Sequence, residues 1–187
     1  MIAIWGLMLA LPLLAYGALA VWSPGKARDF ATWFETSRRV AATLTVVAWF
    51  WTAWELDHIG IDVFDMFLKR FPGELWLLAA VLSYLTVIWM PKSLSVRALT
   101  GILMLFPAAL FRATRLLVPE SGFAPVHILV VFAYLAAVTG MYGMFYPWRL
   151  EKGLRLVLDS GCIWPRVFGG ALVLTAFALL GAGFASL

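Results

Sequence analysis

The chain holds two histidines, His58 and His127. The first lies in WELDHIGIDVFDMF, Trp54 to Phe67, which also carries the acids Glu55, Asp57, Asp62 and Asp65. Two neutral imidazoles on facing helices ligate one haem iron axially. Arg112 and Arg115 point to the same end of the molecule and would pair the propionates of a haem b. A quinone is the other redox partner such a pair would serve. No spacing motif joins His58 to His127, and an interfacial histidine serves more often as a hydrogen-bonded rim residue. A simple metal site from His58, Asp57 and Asp62 has no second histidine within a helical turn, so no metal is expected.

Arg112 and Arg115 sit one turn apart on one face of an apolar run. An arginine within a membrane span is costly and finds a partner in protein or water. Glu55, Asp57 and Glu120 are the candidate partners at that depth. The plain reading is a structural ion pair, or side chains reaching out to the headgroups. The functional reading is a contact for an anion or lipid headgroup, as in a small anion or lipid transporter. No acid lies near the centre of any apolar run, which argues against proton coupling through a midplane carboxylate.

Catalytic patterns are lacking. There is no serine–histidine pair in one motif, no HExxH, no histidine box and no DxxD flanked by basic residues. An enzyme is therefore disfavoured. No nucleic-acid motif or glycine-rich phosphate loop occurs either. LDSGC, Leu158 to Cys162, has the form of a lipoprotein cleavage box but lies far from any N-terminal leader. Cys162 is the only cysteine, so no internal disulfide forms.

The elements that must position these residues follow from composition. Of 187 residues, 64% are hydrophobic and 13% charged, with a mean hydropathy of +0.94. Soluble domains are about 45–50% apolar and about 25% charged. The apolar runs are continuous rather than alternating, which excludes a transmembrane barrel. The expected fold is all-α: one integral membrane domain over 1–187, a polytopic bundle of six transmembrane helices near 2–22, 40–56, 75–90, 98–118, 126–147 and 167–186. Ala18-Leu19-Ala20 resembles a signal-peptide cleavage site. Residues 1–22 lack the basic leader such a peptide needs, so the first span is expected to be retained.

Lysine and arginine set the orientation. The first, third and fifth connections hold Lys26, Arg28, Arg38, Arg39, Lys92, Arg97, Arg149, Lys152, Arg155 and Arg166. The second and fourth hold Lys69, Arg70, Arg112 and Arg115. Ten against four predicts an N-out, C-out protein. In IDVFDMFLKRF, 61–71, Asp62, Asp65 and Lys69 form one stripe beside Phe64, Phe67, Leu68 and Phe71. This predicts a short interfacial helix after the second span, ended by Pro72-Gly73. The basic residues of 149–158 predict a segment along the anionic inner headgroups. Pro107 is expected to kink the fourth span. Small residues at Ala133/Ala137, Ala136/Gly140 and Thr139/Gly143 predict close helix approach in the fifth. The hydroxyls of Thr43, Thr45, Ser83, Tyr84, Thr86, Tyr134, Thr139 and Tyr142 are expected at helix–helix contacts.

ETSRRVAATLTVVAWFWTAWEL, VRALTGILMLFPAALFRATRLL and FYPWRL loosely resemble small multi-span bacterial inner-membrane proteins of no assigned function. The resemblance spans about half of the chain and implies a location only, with no catalytic residues. The partners expected are the bilayer and other membrane subunits or further copies of the chain, with no nucleic acid. The function expected is that of a non-catalytic membrane subunit, with haem or quinone binding and anion or lipid transport as alternatives.

Overall fold

The computed structural model describes residues 2–58, 73–90, 93–114, 124–161 and 163–185. Those residues form eight helices and no strand: α1 (Ile2–Trp22), α2 (Pro24–Thr36), α3 (Arg38–Asp57), α4 (Glu74–Trp89), α5 (Leu94–Thr114), α6 (Val126–Phe145), α7 (Pro147–Asp159) and α8 (Ile163–Ala185). Each of the six apolar runs contains one helix. By length and composition α5, α6 and α8 are long enough to cross a membrane, while Gly6–Trp22 and α4 are apolar but shorter. The helix expected over 61–71 lies outside the described residues, as do Asp62, Arg115, Glu120 and Cys162.

Two helices do not fit the long apolar pattern. The stretch expected to be a plain connection between the first two spans is helical, as α2. Pro24 supplies the fixed φ suited to a first helical turn, where a missing N–H costs nothing. Ala27 and Ala31, one turn apart, are the residues that α2 buries. The basic segment near 149–158 is likewise a helix, α7, and it too begins on a proline, Pro147. Gly161 turns the chain from α7 into α8 at φ +85, a left-handed conformation that favours glycine.

The long helices pack in the spatial order α4, α3, α5, α6, α8, α1, and α1 also touches α5. The main core joins Ala10 of α1, Phe106 and Leu110 of α5, Leu129 and Ala133 of α6, and Ala176, Leu179 and Ala182 of α8. The amphipathic helices α2 and α7 cap one end, where Ala20, Ala27, Ala31 and Leu158 form a second buried cluster. Helix α5 runs through Pro107, which is buried.

Four of the eight hydroxyls expected between helices, those of Thr43, Thr45, Ser83 and Thr86, donate instead to the carbonyl four residues back in their own helix, at 2.6–3.0 Å. Thr100 and Thr114 do the same. Such a bond satisfies the hydroxyl within its own helix. Across helices, Trp49 Nε1 donates to Thr86 Oγ1 at 3.1 Å and ties α3 to α4, and the Ser95 hydroxyl of α5 donates to the Glu35 carbonyl oxygen of α2 at 3.4 Å.

Glycine sets the closest approaches. A Cβ on Gly17 of α1 would sit 2.8 Å from the Gly169 carbonyl oxygen of α8, and one on Gly169 would sit 2.7 Å from that of Gly17. On Gly140 of α6 it would meet the backbone of α5, 2.7 Å from Met104 N and 2.8 Å from Thr100 O. The small-residue face of α6 therefore packs against α5 of the same chain. Gly170, one residue from Gly169, has open space. Gly17→Ala and Gly140→Ala should each destabilise the bundle by about 1–3 kcal/mol through overpacking. Gly170→Ala should be neutral, or stabilising by up to about 1 kcal/mol. Unfolding in detergent, followed by circular dichroism, will separate the three.

Candidate functional site

Of the residues singled out from the sequence, Glu55, Asp57 and His58 lie where α3 finishes and Arg112 lies in the last turn of α5. Arg112 Nη2 donates to Glu55 Oε2 at 2.6 Å. Trp51 Nε1 donates to the other oxygen, Oε1, at 2.9 Å. Both carboxylate oxygens of Glu55 are thus engaged, one by the adjacent turn of α3 and one by α5. The Glu55 side chain is 10% exposed and that of Arg112 44%. The Trp51 ring meets the buried Phe106 edge-on, with centroids 6.4 Å apart. The arrangement pins α3 to α5 with a charge-assisted hydrogen bond, shielded on the acid's side. An anion approaching Arg112 would have to compete with a carboxylate already in place.

Asp57 is not a partner of Arg112. It lies on the surface with Oδ2 3.9 Å from His58 Nδ1. His58 caps its own helix: Nδ1 is 2.8 Å from the Trp54 carbonyl oxygen, and the ring stacks on Trp54 at 4.4 Å and 23°. His127 Nδ1 lies 3.0 Å from the Ala124 nitrogen and 2.9 Å from its oxygen, at the start of α6. The contacts described here for both imidazoles are local, made through Nδ1 to backbone within a turn. Among the described residues no group of three or more His, Cys, Asp or Glu side chains could hold a metal ion.

The opposite end holds a second arrangement that the sequence did not reveal. Glu35 at the end of α2 accepts from Arg155 of α7 through both Nε and Nη2, the Nε bond measuring 3.1 Å. That hydrogen bond, and the charge of Glu35, raise the Arg155 pKa above the ordinary arginine value. Arg28 Nη1 and Asp159 Oδ1, 3.1 Å apart, make a second cross-link between the same two helices. Arg28 thus meets the end of α7 while Glu35 meets its middle, so the two helices run antiparallel. Behind them lies a cavity of about 690 Å³, walled by side chains of α1, α2, α5, α6, α7 and α8. Glu35 and Arg155 are 120 residues apart, and no local spacing marks them as partners.

Comparison with protein-family models, with curated proteins and with solved structures finds no match. Function is therefore argued from this chain's own geometry. Arg112→Ala should destabilise the protein by about 1–3 kcal/mol, because it strands a largely buried carboxylate while its own half-exposed side chain limits the loss. The double variant Arg112→Met/Glu55→Gln should recover part of that loss, since neither residue is then charged. A denaturant titration of Arg112→Met, Glu55→Gln and the double variant measures the coupling.

Proposed function

We propose that the chain is a six-span integral membrane protein, N-out and C-out, serving as a non-catalytic subunit of a larger membrane assembly or homo-oligomer. The setting proposed is the bacterial inner membrane, on the resemblance described above. The orientation rests on the excess of lysine and arginine at the end capped by α2 and α7.

The observation that carries the subunit reading is Tyr134. It is the ninth residue of α6, about 12 Å along the helix from Val126, and its side chain is 60% exposed. Its ring leans on Phe111, with centroids 5.0 Å apart, and its hydroxyl makes no hydrogen bond among the described residues. At that depth the hydrocarbon offers a hydroxyl no partner, whereas a neighbouring helix can supply one. Tyr84 of α4, 67% exposed, repeats the pattern. Helix α4 packs mainly on α3, so it leaves a broad aromatic and aliphatic face open to another chain. The Arg112–Glu55 pair supports the same reading, because it commits Arg112 to holding α3 to α5.

Extracted in a mild detergent, the protein should run on native mass spectrometry with other subunits or as several copies. Tyr134→Leu should shift it towards the monomer. A lone monomer, together with intact membrane complexes in a deletion strain, would refute the subunit reading. Topology is tested separately by single cysteines on a Cys162→Ser background. Asp57→Cys should react with an impermeant maleimide in intact cells, and Lys152→Cys only after permeabilisation.

A further inference from the structure

The cavity behind α2 and α7 is within the size range of small-ligand sites, about 300–1,000 Å³. Its wall is overwhelmingly apolar, with Leu19, Phe34, Leu99 and Leu103 among its side chains. A ligand there must offer hydrocarbon over most of its length. Three of the polar side chains on the same wall, Tyr16, Glu35 and Glu151, say what the remainder of the ligand must be.

Tyr16 lines the cavity, and its hydroxyl is buried with no hydrogen-bond partner. A buried hydroxyl without a partner is disfavoured, so the site calls for an oxygen acceptor. Glu35 lines the cavity as well, and Arg155 satisfies it. Glu151, the third, makes no ion pair or side-chain hydrogen bond among the described residues and is only partly exposed. Two carboxylates therefore line an apolar wall; the nearby Arg155 guanidinium hydrogen-bonds Glu35 and reaches Glu151 only as a charge at longer range. A carboxylate against an apolar surface calls for a cation. An anionic headgroup would add to the charge already there. A small free ammonium ion would leave the hydrocarbon wall uncovered.

We propose that this cavity binds a membrane lipid whose headgroup ends in a primary ammonium. The ammonium pairs with Glu151, a headgroup or ester oxygen accepts from the Tyr16 hydroxyl, and an acyl chain lies along Leu19, Phe34, Leu99 and Leu103. Lys26 on α2 and Lys152 on α7 stand at the same end for the phosphate. The proposal does not depend on whether the chain assembles with others.

The test uses the full chain, delipidated in detergent and titrated with phosphatidylethanolamine or phosphatidylglycerol of matched chains, with bound lipid counted by native mass spectrometry. The ethanolamine lipid should bind at about tenfold lower concentration than the glycerol lipid. Glu151→Gln should erase that preference, and Leu99→Trp, which fills the cavity, should weaken both. Equal binding of the two lipids by the parent protein would overturn the proposal and requires no variant to fold. So would ethanolamine-lipid binding that Leu99→Trp leaves unchanged. Hexadecylamine serves as a free cationic amphiphile, and its binding as tightly as the lipid would overturn the assignment to a membrane lipid.

Discussion

Where α1 crosses α8, Gly17 and Gly169 bring two main chains so close that neither position has room for a methyl group. Gly140 does the same between α6 and α5. Helices surrounded by hydrocarbon gain little from burying one apolar side chain against another, since lipid is equally apolar. What remains is contact itself, and contact is closest where side chains are absent. The two glycine crossings fix which pairs of helices touch most intimately. The core of Ala10, Leu129, Ala133, Ala176 and Leu179 fills the space those pairs enclose.

Among the described residues the ion pairs lie at the two ends, and they differ between them. At one end both carboxylate oxygens of Glu55 are engaged, by Trp51 and by Arg112, and the result is a joint between α3 and α5. At the other, charged residues lie on two amphipathic helices that cross-link each other and cover an apolar hollow. In the first arrangement the acid is satisfied. Beside the apolar hollow, Glu151 makes no ion pair or side-chain hydrogen bond among the described residues, and the buried Tyr16 hydroxyl has no partner.

On the function proposed above, the molecule acts through surfaces and hollows rather than through reacting groups. The proposed contact for another helix is the outward face of α4 and the outward tyrosine of α6. The proposed lipid site is the hollow under α2 and α7. These readings involve different ends and faces of the bundle, and each stands on its own residues.

Much of this was legible in the order of residues, because a helix in an apolar medium must satisfy its own backbone within its own segment. Each of the six apolar runs contains a helix. The small residues of α6 announced a close neighbour, and Glu55 was among the three acids considered for Arg112. Helix α2 was missed although Pro24, Ala27 and Ala31 carried its signature, because its mixed composition reads as a connection. What the sequence by itself determined is therefore local: where helices form, which faces are small, and which residues are too polar for lipid. Only the tertiary structure decided that Glu55 rather than Asp57 meets Arg112, that Glu35 meets Arg155 across 120 residues, and that six helices leave a cavity with Tyr16 and Glu151 on its wall. Those pairings depend on the angles and depths at which separate helices cross, and no spacing along one helix encodes them.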